Sequence, residues 1–515
     1  MNFSNRKNFT LLLLLIVLNI ILRLQAVNYE IGIDSFLMHI MINSLTEFGY
    51  AKWILHPLSL AGLYPYSYSS SVLFFLSGIQ QVAGLEMNTV IFIYTIFLAV
   101  FSVFATYLMA GTLIDDDFFK HIVTIIFSTI PAMVTYTTYT IGTRPLLIVL
   151  VPFLMYLLLN KGNHIKQIIL IFLLIPFLFI THHLFYFLLP MLVIYILSKI
   201  CSKLAIYEYL VQNASKKYSY LIPILIPIVL FMVFYSIPVI FKKFLEEGSR
   251  YQFPIISYIR YVGPSIIYSI GGLVYLTLKQ NKVFNEWILL LSTLSLASFI
   301  YVPTYMKWFI PLFLVPLAGI GIINILKAQN KKYTVILLTI ILIVPIIYTG
   351  YFQYISKYEE NEYYGRYIDG TTYNTGVWMK EFTSGNAISN NEVFSYRIFA
   401  ISDTTHFLIP YTTIDAIYDF VDTNVSSFKR YPLSSDKFWF DGYEGPDFGE
   451  NLWYSLHELE RSPEELEIEY IVEYVKANGN VVWNHASFPS KIIERGHSES
   501  LIYDVGTIKI WNISY

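Results

Sequence analysis

Residues 29–84 read YEIGIDSFLMHIMINSLTEFGYAKWILHPLSLAGLYPYSYSSSVLFFLSGIQQVAG. This stretch is too polar to span a bilayer and too apolar for an ordinary solvated loop. Asp34, His39, Lys52, His56 and several tyrosines lie among amphipathic runs. That composition suits a structured loop on a membrane surface. The run SFLMHIMINSLTEF after Asp34 has helical character, with Asp34 placed to cap its start and Gly49 to end it.

Upstream, Arg6 and Lys7 precede an apolar run over 9–22. A small-x-small cleavage pattern is missing and many hydrophobic segments follow, so the run reads as an uncleaved signal anchor. Arg23, at its far end, is placed to snorkel to the interface. Downstream, apolar runs cover 88–114, 119–141, 144–160, 167–181, 184–199, 220–241, 257–278, 284–302, 308–326 and 333–352. A crossing helix needs roughly 20 residues, so the chain predicts about eleven transmembrane helices. The runs 167–181 and 184–199 are short and meet at His182–His183. With the amino terminus inside, 14 Lys and Arg fall in inner loops and 8 in outer ones. This obeys the positive-inside rule, provided that 69–84 returns to the outer surface.

Hydrophobic residues make up 56% of the 515-residue chain and charged residues only 14%. Soluble domains average about 25% charged residues, so the composition is that of a membrane protein. The charges are also divided. Up to residue 356 there are 22 Lys and Arg against 11 Asp and Glu; from 357 onward there are 12 against 25. The acidic part, 355–515, reads as an extracytoplasmic α/β domain following a multispan domain over 1–354, which includes the first outer loop, 28–87. Segments 392–401 and 500–513 have strand-like character, and 462–477 looks helical. The acidity of the only large region outside the membrane excludes nucleic acid as a partner. A single cysteine, Cys201, excludes an internal disulfide framework.

Gly32-Ile33-Asp34-Ser35, followed by His39, Gly49, Trp53 and Gly62-Leu63-Tyr64-Pro65-Tyr66, resembles the first outer loop of GT-C glycosyltransferases. Thr143-Arg144-Pro145-Leu146 resembles an arginine-proline element at the outer start of a later helix in some members. The resemblance implies a multispan enzyme that takes a sugar from a polyprenyl (dolichyl)-phosphate-linked donor. It places Asp34 at the catalytic centre as base or metal-linked carboxylate. Its implied partners are that donor, the lipid bilayer, and a glycan or protein acceptor. The Trp-Trp-Asp-Tyr-Gly element of oligosaccharyltransferases is not found over 391–401, which favours transfer of a monosaccharide.

Residue chemistry adds candidates. Arg144, Arg260 and Lys307 lie at predicted outer ends of spans, where cations meet lipid phosphate; snorkelling is the structural alternative. His39, His182, His183, Glu246 and Glu247 are candidates for metal or substrate binding, with a divalent ion such as Mg or Mn as the implied cofactor. No H-x-x-x-H or C-x-x-C spacing strengthens a metal site. The stretch 242–250, with charges of both signs, reads as a pyrophosphate site or a solvated loop. Asp115-Asp116-Asp117 falls on the predicted inner side and reads as a solvated turn. A polysaccharide polymerase or ligase would need a larger central outer loop, and a transporter would need polar groups at mid-membrane.

Overall fold

The computed structural model describes residues 3–24, 28–51, 70–162, 164–203, 254–297, 299, 303–328, 331–354, 365–409, 412–418, 420, 429–430, 443–444, 466–474 and 500–513. In chain order the helices are α1 (Phe3–Ile21), α2 (Ile33–Phe48), α3 (Ser70–Ala83), α4 (Met87–Leu113), α5 (Asp117–Thr129), α6 (Pro131–Tyr136), α7 (Thr143–Leu159), α8 (His164–Thr181) and α9 (Leu188–Lys203). They continue as α10 (Pro254–Val262), α11 (Ser265–Leu278), α12 (Phe284–Ala297), α13 (Pro303–Phe309), α14 (Pro311–Ala328) and α15 (Lys331–Gln353). The last three among the described residues are α16 (Gly370–Phe382), α17 (Glu392–Ser402) and α18 (Thr412–Ile417). The chain divides into two units. One comprises Met1–Leu24, Ile96–Thr138 and Thr143–Tyr354; the other comprises Gln25–Thr95, Tyr139–Gly142 and Ile355–Tyr515.

The first unit is helical, and some prolines open new helices in it while Pro152, Pro176, Pro316 and Pro345 lie inside helices. Pro131 and Pro311 each open a new helix, because proline restricts the preceding residue and lacks the amide that would continue the ladder. The run 119–141 is thereby split into α5 and α6. Gly263, in the left-handed region at φ +70°, separates α10 from α11. Two described helical segments, Met87–Leu113 and Thr334–Gln353, are long and apolar enough to cross a membrane; further apolar helices are shorter. About eleven crossings remain the expectation from sequence. The run 220–241 lies outside the described residues.

Two features of this unit depart from simple snorkelling and loose packing. Arg23 is fully buried rather than at an interface. Its Nε donates to Thr137 Oγ1 (2.6 Å), Nη1 to Asn19 Oδ1 (2.8 Å) and Nη2 to the Ser128 carbonyl (3.1 Å). Neutral oxygens thus satisfy the guanidinium where α1 meets α5 and the turn after α6. Helices α11 and α14 approach to backbone contact. A Cβ on Gly272 would overlap the Leu317 carbonyl, and one on Gly321 would overlap the Tyr268 carbonyl. Small residues at such a crossing are how membrane helices gain dispersion contacts.

The second unit contains a five-stranded sheet in the order β2-β1-β5-β7-β6, formed by β1 (Gly385–Ser389), β2 (Thr405–Phe407), β5 (Ile468–Tyr474), β6 (Ser500–Asp504) and β7 (Ile508–Asn512). A separate two-stranded pair joins β3 (Lys429–Arg430) to β4 (Tyr443–Glu444). Strand β1 pairs in parallel with β2 and β5, while β7 is antiparallel to β5 and β6. The expected strands over 500–513 are therefore present.

The other two expectations reverse. Residues 392–401 form helix α17, which Asn391 starts by accepting from Phe394 N (2.9 Å). Residues 394–400 are all buried, so burial shows no helical stripe for a pattern reading to find. Residues 468–474, within the stretch read as helical, form the central strand β5, where Ile468, Ile471 and Val472 are β-branched and buried. Helix α17 packs on α2, and Asn43 Nδ2 donates to the Ala400 carbonyl (3.0 Å).

Candidate functional site

Asp34 stands exposed in the first turn of α2. It does not cap the helix: Gly32 occupies that position and supplies no side-chain bond. Gly49, at φ +70°, ends the helix as expected. The segment leading into Asp34 is fixed on several sides. Ile31 N donates to the Tyr139 carbonyl (3.1 Å), Gly32 N to the Arg366 carbonyl (2.8 Å), and Ile368 N to the Glu30 carbonyl (3.1 Å). Ile31 also forms an isolated antiparallel bridge with Tyr367.

Beneath this turn lies a buried polar group that sequence reading missed. Glu30 receives the Ser35 hydroxyl on Oε1, and its Oε2 contacts His39 Nδ1 at 2.7 Å. Ser35 Oγ in turn accepts from Ile141 N (2.6 Å). All three side chains are buried. His39 is thus engaged with a carboxylate, not presented to a substrate. Glu30 precedes the helix and shares no periodicity with it, so the sequence offered no signal for this arrangement.

In the other unit, Arg144, Arg260 and Lys307 share one aromatic cluster. The Arg144 guanidinium carbon lies 5.4 Å from the centroids of both Tyr136 and Trp308. Lys307 Nζ lies 4.8 Å from Tyr261 and 5.0 Å from Trp308, and Arg260 lies 4.9 Å from Phe352. Tyr136 and Tyr261 both meet Trp308 edge-on, at 4.0 Å and 4.3 Å. Ring faces favour cations at these distances. Arg144 Nε is buried and finds no hydrogen-bond partner among the described residues. Lys307 lies in the last turn of helix α13, between the predicted spans 284–302 and 308–326, and not in a bare turn. Burial, then the Arg144 and Arg260 cations, push its ammonium down to about 8. Three cations close enough to repel one another make a site that an anion would relieve.

The remaining candidates are not drawn together. His182 caps the short 3₁₀ turn His183–Phe187 by accepting from Leu184 N (3.0 Å) on Nδ1. This confirms a break between α8 and α9 and gives the imidazole a structural task. The His183 side chain, Glu246, Glu247 and the stretch 242–250 lie outside the described residues. Asp116 caps α5, and Lys120 pairs with Asp115 (2.7 Å) and Asp117 (3.2 Å), as befits a polar turn. Among the described residues no three His, Cys, Asp or Glu side chains converge to hold a metal ion.

The fold is similar to that of solved membrane glycosyltransferase structures, at low sequence identity. The oligosaccharyltransferase AglB of the archaeon Archaeoglobus fulgidus, in complex with an inhibitory peptide and a dolichol-phosphate, superposes with a TM-score of 0.54 at 10% identity, covering 92% of this chain and 70% of that one. A structure of the same organism's oligosaccharyltransferase with Zn and sulfate gives 0.54 at 11% identity, covering 90% and 68%. Arabinofuranosyltransferase AftD from Mycobacteria gives 0.49 at 12% identity, covering 100% and 42%. No protein-family model and no curated protein sequence matches the chain.

Proposed function

We propose that the chain is a membrane glycosyltransferase. It moves a glycosyl group from a polyprenyl-phosphate-linked donor to a lipid-linked glycan, a protein or a cell-surface polymer. The observation that carries this reading is the aromatic-walled cluster of Arg144, Arg260 and Lys307. It suits a phosphate at the end of an apolar chain, since cations meet the oxygens while rings meet hydrocarbon. The dolichol-phosphate bound to AglB supports the same donor class.

In this reaction an acceptor oxygen or nitrogen bonds to the anomeric carbon while the bond from that carbon to the phosphate oxygen breaks. Asp34 takes the acceptor's proton as general base. The cations take up the charge left on the departing phosphate, an electrostatic task that fixed donors perform best in a dry site. The reading places transfer on the outer membrane face, with the amino terminus cytoplasmic and 355–515 extracytoplasmic. An acidic outer region then receives or shapes access for the acceptor.

The test supplies membranes with labelled polyprenyl-phosphate sugars and compares the native chain with Asp34→Asn. Transfer by the native chain, lost in a normally folded variant, is the expected result. Equal transfer by both removes Asp34 from the chemistry. No transfer from any donor, with solute flux instead, sinks the glycosyltransferase reading in favour of a transporter.

A further inference from the structure

We infer that Glu30 is a positioning residue, holding Asp34 in its working orientation through paired bonds to Ser35 and His39. The inference rests on the reading of Asp34 as the base. Ser35 and His39 are four residues apart and so share one face of α2. One Glu30 oxygen takes the Ser35 hydroxyl and the other contacts His39 Nδ1 (2.7 Å). A single carboxylate thus clamps the first two turns of the helix to the segment before it. Paired with a carboxylate that accepts, Nδ1 is the donor of this contact.

The clamp adds to the backbone bonds that hold this segment, and it stands where a side-chain cap is missing. Gly32 has no side chain with which to cap it. Ser35 also receives Ile141 N, and the Glu30 carbonyl receives Ile368 N, so the clamp joins three separate segments of the chain. Asp34 points away from this buried face into the open. Any unwinding or rotation of the first turn moves its carboxylate directly. A nucleophilic role for Ser35 does not fit: its hydroxyl bonds to Glu30 rather than to His39, and it is fully buried.

The experiment measures kcat, donor KM and thermal unfolding for the full chain in membranes. It compares Glu30→Gln, His39→Leu and His39→Asn, with Asp34→Asn as reference. An ångström of misplacement costs about 10²-fold, so Glu30→Gln and His39→Leu should lower kcat by about that factor. Donor KM should stay within about twofold, because binding is not what the clamp supports. His39→Asn, whose amide nitrogen replaces Nδ1, should recover most of the rate. Native kcat in folded Glu30→Gln, or equal loss in His39→Asn and His39→Leu, overturns the inference. If Glu30→Gln does not fold, the histidine pair decides alone. Native transfer by Asp34→Asn defeats the underlying reading and this inference with it. An inactive Asp34→Asn beside a native-like Glu30→Gln defeats only the inference.

Discussion

The Lys307 ammonium is where chemistry at the residue scale is most exposed to measurement. Burial and two cationic neighbours push it down to about 8, so its charge is present below that pH and lost as pH rises through it. Affinity for a donor phosphate should therefore fall above about pH 8, seen as a declining kcat/KM, which reports the free enzyme. A bound phosphate restores the charge, so kcat should decline less. Lys307→Arg, whose guanidinium does not titrate in this range, should flatten the profile. Arg144→Gln should raise donor KM by about 10- to 100-fold, the worth of a charged hydrogen bond. An unchanged KM would take Arg144 out of the donor site.

Asp415 offers a stability test of the same kind. It is fully buried, Ile409 N donates to Oδ1 (3.2 Å), and Oδ2 has no partner among the described residues. Burial raises its carboxyl well above the usual carboxylate range. A raised folded value means the neutral form is favoured, and the stability it gives is complete below the unfolded value of about 4. That stability is lost as pH rises toward and through the folded value. Asp415→Asn should therefore raise the free energy of unfolding at pH 7 by about 1–3 kcal/mol and change it little near pH 4, as denaturant unfolding would measure. A gain of equal size at both pH values would contradict the buried charge. Asp34 and the three cations stood out in the sequence as candidates because each sits at the edge of a recognisable pattern. The sequence hid Glu30, Asp415 and the burial of Arg23, because their roles depend on segments more than a hundred residues apart or on loop geometry that no periodicity records.

Among the elements, the α11–α14 crossing gives the sharpest contrast. Gly271 faces open space, whereas a Cβ on its neighbour Gly272 meets backbone. Gly271→Ala should be neutral or slightly stabilising. Gly272→Ala should destabilise by about 1–3 kcal/mol or more, since rigid carbonyls cannot yield as a side chain does. Thermal unfolding of the two variants in one detergent checks this, and equal behaviour would mean the helices stand further apart. Helix positions in the first unit were legible to within a few residues because long apolar runs leave little choice of structure. The break at Pro131 was not legible, because a composition pattern treats a broken helix as one span. The second unit was less legible. In α17 burial on all sides hides the helical stripe, and β5 follows a glutamate-rich stretch that suggests a helix. In both, tertiary burial decides over local propensity.

For the whole molecule, the division of charge makes a claim about sidedness. Basic short loops and an acidic carboxyl-terminal region belong on opposite faces if the positive-inside rule orients the chain. Lys161 is exposed in the turn between α7 and α8, a predicted inner loop, and Ser384 is exposed just before β1 in the acidic region. With Cys201 replaced by serine, Lys161→Cys and Ser384→Cys each carry one thiol. In sealed, right-side-out vesicles a membrane-impermeant maleimide should label Ser384→Cys at once and Lys161→Cys only after permeabilisation. The reverse pattern would put the acidic region in the cytoplasm, where an outer-face transfer reaction has no place. Labelling of both from outside would place 161 and 384 on the same face, so an odd number of crossings between them would be missing or added. The same experiment therefore tests the parity of the spans over 164–353, which the described helices alone do not fix, because 220–241 falls within that interval.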